Sequence, residues 1–560
     1  MKKMIGKSTD NFKEFRKYNY YYVDKTLLIE ELFNKVDKVV LLPRPRRFGK
    51  TLNLSMLKHY FDINEDNREL FKGLNIKKRD IFNEHINKYP TIFLTLKEIK
   101  GLSWEEIYGD FKFAISKLYE EHSYLLKSDK LSQFNKDIMN KIIIKEASIQ
   151  DYKNSLYLLS EYMYKHYGKE VIILLDEYDT PVNNLYSDNI YDSIMSFMKV
   201  FISSAFKGNQ YLFKGVITGI LRIAKESIFS GANNITVRTI LDKDFSDKFG
   251  FTEVEVKDIL KYYGMEDRIE EAREWYNGYT FGDSIVYNPF SIVNYVQKKV
   301  LETYWLNSGN NSLIDSLLLN SDKSIKDKLE ELIKGNSIEE EIEEGIVFSE
   351  LDNPKHLWSL LLFSGYLKAN EGTIGKYLLS IPNKEIKKLY SKIIENYFNK
   401  LVVGLLPIMD NIAKSILNDN IEEFRKELQN LLLSNISSYD IGKNKEEVYH
   451  IITLFSLLKL EYKNEYEVKS NIESGNGRYD ICIIPRNINK IGYIIELKVA
   501  KDKEYLKNKA DEAIRQIEEN KYYIELVKKG ITNIKLLGVA FESKAVFIID
   551  KKFNFQMLNQ

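Results

Sequence analysis

An α/β protein is predicted, with a parallel sheet in its N-terminal part, a helical middle and a second, compact α/β module at the C-terminus. Three observations lead there. Strand-like and helix-like segments alternate from about residue 1 to 240, the pattern of a parallel sheet with crossover helices. From about 245 the texture becomes helical and rich in Leu, Ile, Lys and Glu. Beyond a Ser/Asn-rich junction at 432–444 strands return. A chain of 560 residues is too long for one core, and boundaries at 1–244, 245–435 and 436–560 are expected.

Each element has a local reason. "KVVLLP" (38–43) reads as a buried strand, and "TLNLSMLKHYF" (51–61) has helical apolar spacing at Leu54, Leu57 and Phe61. "TIFLTL" (91–96), "VIILLD" (171–176) and "KGVITGI" (214–220) are further strands. In the middle region, Thr252 to Glu255 fits a capping box, and Asn288-Pro289 places a cap before a first-turn proline. The aromatics Trp275, Tyr276 and Tyr279 read as packing. The C-terminal module reads as a helix, then the strands "EYEVKSNIES", "RYDICIIP" and "IGYIIELKV", a polar helix at 502–521 and a last strand, "KLLGVAFE" (535–542).

Composition narrows the function classes. Net charge is +1, so nucleic-acid affinity needs a local patch and not a global field. Arg478, Lys501, Lys503, Lys507 and Lys509 are candidates for such a patch. One cysteine, Cys482, excludes a disulfide framework and a Cys-based zinc site. The six histidines show no metal spacing. "MKKMIGKSTDNFKEF" lacks the apolar core of a signal peptide, and runs such as "VIILL" are too short to span a bilayer. A cytoplasmic protein without membrane contact is expected.

The stretch "RPRRFGKT" (44–51) follows one strand and opens a helix. Gly-Lys-Thr closes a phosphate-binding loop, although Arg44 stands where the usual pattern has glycine. Free N–H groups and the positive end of a helix dipole lie at such a loop. Gly49 lets the backbone approach a phosphate, Lys50 reaches its β- and γ-groups, and the Thr51 hydroxyl binds Mg2+. Arg44, Arg46 and Arg47 add positive charge, and Phe48 belongs to the same loop. "VIILLDEYD" supplies the acid at a second strand end: Asp176 for Mg2+ and Glu177 to polarise the attacking water. Thr218, ending a third strand in "GVITGILRI", is placed to sense the γ-phosphate.

A second constellation lies in "GNGRYDICIIP" and "GYIIELKVA". Strand side chains alternate faces, so Glu496 and Lys498 share one face, with Asp480 on the preceding strand. Asp480 and Glu496 form a hard oxygen site for Mg2+, and Lys498 can orient a hydroxide and neutralise the transition state of phosphodiester hydrolysis. Glu473 is a further acidic group, and Gln516 can position the lysine or the water.

These stretches also carry a resemblance. "YYVDKTLLI", "LLPRPRRFGKTLNLSMLKHYF", "ILLDEYDTPV", "GVITGILRIAKESIFSGANN", "WYNGYTFG" and "VYNPFSI" occur in order and resemble the bacterial AAA-ATPase-like family over roughly 4 to 300. That family opens its loop with Arg-Pro-Arg-Arg-Phe-Gly-Lys-[Ser/Thr], which makes Arg44 the family's own variant. The same likeness places Tyr22, Asp24 and Lys25 in an N-terminal motif, and Ser230, Asn233 and Asn234 in a loop after the sensor strand. Residues 436 to 550 resemble the PD-(D/E)XK nuclease superfamily: Asp480, Glu496 and Lys498 match its motif, and Gln516 a frequent accessory position. Glu446, Glu447 and His450 are open alternatives for one more position on the first helix.

The expected fold is therefore a P-loop NTPase-like parallel sheet, a helical lid and linker, and a PD-(D/E)XK nuclease-like α/β domain. The expected function is an ATPase that gates or positions a Mg2+-dependent nuclease, with Mn2+ an alternative metal at the nuclease site. DNA is the preferred substrate over RNA, and similar domain fusions suggest mobile-element control or phage defence. Related ATPases form rings, and Arg222 and Arg238 are candidates for an arginine finger in a homo-oligomer. The alternative is a switch that holds ATP without turnover and whose nuclease-like domain binds nucleic acid or a protein without cutting.

Overall fold

The computed structural model describes residues 2–6, 9–183, 188–222, 234–308, 323–345, 354–390, 405–433, 445–462, 465–474 and 477–553. The chain folds into two compact units. One comprises Met1–Leu317 with Ile338–Ile386, the other Leu318–Ser337 with Lys387–Gln560.

The first unit is built on five strands: β1 (Val39–Pro43), β2 (Thr91–Thr95), β3 (Val171–Asp176), β4 (Leu212–Gly219) and β5 (Ile235–Val237). Their order is β2-β3-β4-β1-β5, and every neighbouring pair is parallel. β1 and β3 are buried along their whole length, which is why they read as unbroken Val/Ile/Leu runs with no alternation. Helix α1 (Lys50–Phe61) follows β1, α2 (Ser155–Tyr167) precedes β3, and α3 (Asp188–Phe206) precedes β4. The sequence order of β1 and β2 skips two strands. The crevice at the carboxyl ends of β1, β3 and β4 therefore lies where chain direction across the sheet reverses, the usual place for a ligand in such sheets.

After the sheet, both helix starts read from the sequence are present. Thr252 and Glu255 close a reciprocal capping box on α4 (Glu253–Tyr263), and the Asn288 side chain caps α5 (Pro289–Lys298). Between them β6 (Tyr279–Phe281) and β7 (Ser284–Tyr287) form a hairpin, with Phe251–Thr252 at its edge. Trp275, Tyr276 and Tyr279 are buried, as a packing role requires. The stretch expected to be uniformly helical also holds a three-stranded antiparallel sheet of Ile338–Glu340, Lys368–Glu371 and Tyr377–Ser380. These strands are three or four residues long, too short to show a period of two against helical neighbours. That stretch, 245–435, is divided between the two units.

The second unit contains α6 (Lys323–Lys334), α7 (Leu405–Leu417), α8 (Ile421–Leu433) and α9 (Lys445–Tyr462). Its sheet runs β8 (Tyr466–Ser474), β9 (Gly477–Pro485), β10 (Gly492–Val499), β11 (Ile534–Glu542) and β12 (Ala545–Lys552), in that spatial order. All pairs are antiparallel except β10 with β11, which α10 (Leu506–Glu519) connects. α10 lies close on the sheet: a Cβ at Gly538 of β11 would stand 2.2 Å from the Ala510 carbonyl oxygen. β12 is an addition to the predicted strands, its alternation weakened by the charged run Asp550 to Lys552. Helices α7 and α8 belong with this sheet: the Tyr493 hydroxyl on β10 donates to the Ile416 carbonyl at 3.1 Å, and Lys535 on β11 pairs with Asp419 at 2.6 Å.

Candidate active sites

The loop from β1 to α1 contains two left-handed residues, Arg47 (φ 69°) and Gly49 (φ 86°). Space for a Cβ is open at Gly49, so backbone conformation alone calls for glycine there. Helix α1 starts at the next residue, which puts its unpaired first-turn N–H groups at the loop. Lys50 is almost fully buried: its ammonium donates to the carbonyls of Arg44 and Pro45 at 3.1 and 3.2 Å and lies 3.3 Å from Glu177 Oε1. The Thr51 hydroxyl donates to Asp176 Oδ2 at 2.8 Å, and Thr218 donates to Oδ1 at 2.7 Å. Burial raises the Asp176 pKa and the adjacent Glu177 adds to the rise, while Thr218, Thr51 and Lys50 oppose it. Glu177 itself is left-handed, at φ 53°. These residues meet because they end β1, β3 and β4, which are parallel neighbours. A cleft of about 530 Å3 is lined by Lys50, Thr51 and Glu177 together with the apolar Ile5, Val23, Phe290 and Val293. That volume is ordinary for a small-molecule site, which runs from roughly 300 to 1,000 Å3.

The other loop residues divide. Arg46 donates to the Tyr366 hydroxyl at 2.8 Å and its guanidinium lies over the Trp305 ring at 5.0 Å; Arg47 is exposed and lies over Phe290 at 4.9 Å. Both line the cleft. Arg44 is not among the residues that line it. It is fully buried, donates to the carbonyls of Pro43 and Arg238 at 2.8 Å each, and stacks on Phe249 and Phe281. Desolvation pulls its pKa down to about 10. The side chain leaves the loop on the side of residues 238–249, so it braces the turn that glycine would leave loose. Phe48 is also buried, edge-on to Tyr279 at 5.0 Å. Its ring is part of the packing under the loop.

In the second unit, Asp480 and Glu496 sit on antiparallel neighbours, one step beyond the paired Ile481 and Ile495. Asp480 Oδ2 accepts the Leu497 N–H at 2.7 Å, and Glu496 Oε1 lies 3.1 Å from the Lys498 ammonium. Glu496 is 2% exposed, and its Oε2 is buried without a hydrogen-bond partner. Burial raises the Glu496 pKa, and Asp480 raises it further. A partnerless buried carboxylate oxygen beside a second carboxylate is costly unless protonated or bound to a cation. Two hard oxygen donors therefore fit Mg2+ or Mn2+, with remaining positions for water or substrate. Among the described residues no group of three or more His, Cys, Asp and Glu is placed to hold a metal. His450 on α9 is buried; its Nε2 is 3.1 Å from the Asp480 carbonyl oxygen and 3.0 Å from Ser470 Oγ.

Residues 6–229 match the family model described as "Predicted AAA-ATPase", and residues 444–551 that of the PD-(D/E)XK nuclease superfamily. The chain is a fusion of an AAA-ATPase-like region to a PD-(D/E)XK nuclease-like region. A curated protein of Azotobacter chroococcum mcd 1, described as "Uncharacterized protein in vnfD 5'region", is 27% identical over 376 residues, which is 66% of this chain and 65% of that protein. Among the described residues no helix is long and apolar enough to cross a membrane.

Several expectations look different in the folded ATPase-like and nuclease-like regions. Gln516 donates to the Tyr522 hydroxyl at 3.3 Å. One turn earlier on α10, Glu512 pairs with Lys509 at 2.7 Å, which mainly holds its carboxyl below the usual range, with Lys498 adding to the effect. Arg222 pairs with Glu344 at 3.3 Å, and Arg238 with Asp37 at 3.2 Å and Asp244 at 3.3 Å. Both candidate fingers are thus held by carboxylates of their own chain. In the N-terminal motif, Asp24 accepts the N–H groups of Thr26 at 3.0 Å and Asn75 at 2.6 Å, and Lys25 pairs with Glu255 at 2.7 Å while lining the cleft. Asn234 donates to the Phe206 carbonyl at 2.6 Å, whereas Ser230, Asn233 and the side chains of Glu446, Glu447 and Glu473 lie outside the described residues. Two further residues neighbour the ATPase-like site. Thr95 donates to Asp176 Oδ2 at 3.3 Å, and Asp179 accepts the N–H groups of Ile220 and Leu221 at 2.9 Å each. The sequence signal is a polar residue at a strand end for Thr95 and an acid three positions past one for Asp179, both common patterns.

Proposed function

We propose that the N-terminal unit binds ATP with Mg2+ and hydrolyses it, and that this cycle gates or positions a metal-dependent nuclease formed by the C-terminal unit. The observation that carries the reading is the partnerless Glu496 Oε2 beside Asp480 and Lys498. In the N-terminal site, Lys50 exchanges the Arg44 and Pro45 carbonyls for phosphate oxygens of ATP. Glu177, released from Lys50, takes the proton of the attacking water. Thr218 reports whether the γ-phosphate is present through its bond to Asp176. Thr51 and Asp176 would hold the ion, as would Asp480 and Glu496 in the C-terminal site. When bound, Mg2+ or Mn2+ lowers the pKa of water and stabilises charge on phosphate. Lys498 orients the hydroxide and neutralises charge on the scissile phosphate. DNA is the favoured substrate, in a cytoplasmic protein that acts against mobile elements or phage; this rests on the character of similar domain fusions. Assembly into a homo-oligomer belongs to the same reading.

The test uses purified full-length protein with Mg2+ or Mn2+ and plasmid, linear and single-stranded DNA and RNA, with and without ATP. Cleavage that disappears in Asp480→Ala, and ATP binding that disappears in Lys50→Ala while Mn2+ binding at the C-terminal site persists, are the expected results. ATP affinity unchanged by Lys50→Ala refutes the phosphate-loop assignment. Tight ATP binding with no cleavage of any substrate selects the switch reading, which the self-satisfied Lys50–Glu177 pair favours.

A further inference from the structure

We propose that two motifs to which the phosphate chemistry gives no role, "YYVDK" (21–25) and "VYNPFSI" (286–292), together build a nucleobase pocket at the apolar end of the cleft. The inference rests on the reading of residues 44–51 as a phosphate-binding loop.

The phosphate loop contributes Gly49, Lys50 and Thr51 to the cleft, with Glu177 beside them. The apolar lining comes from segments far apart in the sequence. Val23, Phe251, Phe290 and Val293 all line the cleft, and all pack against one buried core cluster while staying only partly buried themselves. They are the open edge of that core. The N-terminal segment is tied down on both sides of Val23. Before it, the Tyr21 N–H donates to the Met4 carbonyl at 2.8 Å and Tyr21 bridges to Ile5. The Tyr263 hydroxyl on α4 donates to the Lys3 carbonyl at 2.8 Å, and Gln297 on α5 donates to the Ile5 carbonyl at 3.4 Å. After it, Asp24 accepts the Thr26 and Asn75 N–H groups, and Lys25 pairs with Glu255. In the second motif, the Asn288 cap sets Phe290 in the first turn of α5. The Arg47 guanidinium lies over the Phe290 ring at 4.9 Å. Arg47 belongs to the phosphate loop, so the apolar lining is continuous with it.

A nucleoside triphosphate is a polyanion at one end and a flat ring with two apolar faces at the other. Concave sites that pair a few placed polar groups with apolar and aromatic walls are built for such ligands. Half-buried Val and Phe side chains gain when a ring covers them and displaces water. The bland account is that these four side chains only complete the core. The two accounts differ in how a ligand without a base responds. Damage to packing weakens ATP and inorganic tripolyphosphate alike, whereas damage to a base pocket separates them.

The experiment titrates ATP and inorganic tripolyphosphate, each with Mg2+, into the full-length chain by calorimetry. Wild type is expected to bind ATP about tenfold or more tighter than tripolyphosphate. Phe290→Ala should weaken ATP roughly ten- to a hundredfold and leave tripolyphosphate within about twofold of wild type. Phe290→Tyr, which keeps the ring, should retain ATP affinity. If Phe290→Ala does not fold, Val23→Phe, which fills the pocket from the N-terminal segment, should show the same separation. Equal loss of both ligands, or ATP affinity unchanged by Phe290→Ala or Val23→Phe, overturns the proposal while leaving the phosphate-loop reading intact. So does a wild-type chain that binds tripolyphosphate as tightly as ATP. A wild-type chain that binds neither ligand overturns both.

Discussion

Arg44 and Glu385 are ionisable residues with no exposed surface, and both support the N-terminal loop from behind. Arg44 ties the carbonyl of Pro43, just before the loop, to that of Arg238. Glu385 accepts the Trp305 N–H at 2.7 Å and the Ser291 hydroxyl at 2.8 Å, and Trp305 in turn carries the Arg46 guanidinium and donates to the Arg46 carbonyl. Desolvation raises the Glu385 pKa from 4.5 to about 8. The folded form therefore binds more protons than the unfolded chain within that window, and stability falls as pH rises through it. Below about 4.5 the contribution is fully present, and above about 8 the loss is complete. Glu385→Gln keeps a hydrogen-bonding amide at the site and should remove that slope. Thermal melts across the window should show the variant gaining on wild type as pH rises; parallel curves would rule out a buried acid there.

At the scale of elements, α10 approaches β11 so closely that only glycine fits at Gly538. A methyl group would meet backbone oxygen, which cannot rotate away as a side chain can. Gly538→Ala should push α10 off the sheet and cost about 1–3 kcal/mol by overpacking. Chemical denaturation measures the cost; a variant as stable as wild type would show that the helix packs less tightly. The same helix shows what can be read locally. Its polar pattern and its position after β10 are visible in consecutive residues. That Gln516 reaches the Tyr522 hydroxyl is not, because only helix placement sets which neighbour a residue on that face meets. β12 and the short strands at 338–380 are hard to read in the sequence for another reason: their runs are brief or charged, although β12 and the strands at 368–371 and 377–380 pair with near neighbours in the chain.

At the scale of the whole molecule, the chain crosses between its two units at 317–318, 337–338 and 386–387. A C-terminal piece cut at 436 lacks α6, α7 and α8, and with them the Asp419 partner of Lys535 and the carbonyl that the Tyr493 hydroxyl meets. Residues 436–560 alone should melt well below the C-terminal transition of the full chain in calorimetry and be cut faster by protease. Equal melting temperatures would place the working boundary at 436. Much of both candidate sites is legible in the sequence: Lys50, Thr51, Asp176, Glu177 and Thr218 meet at strand ends, and Asp480, Glu496 and Lys498 meet on adjacent strands.

Short-range order alone determined the loop that opens a helix, the acid closing a buried strand, the Glu-x-Lys pair and the two helix caps. Each is a relation among a few consecutive residues with a preferred backbone, and it survives in any fold that accepts that backbone. Tertiary structure decided that Arg44 turns inward, that Gln516 meets the Tyr522 hydroxyl, and that residues 318–337 join a unit whose sheet forms more than a hundred positions later. Those outcomes depend on which surfaces meet when apolar faces are buried, and burial is set by the whole chain at once.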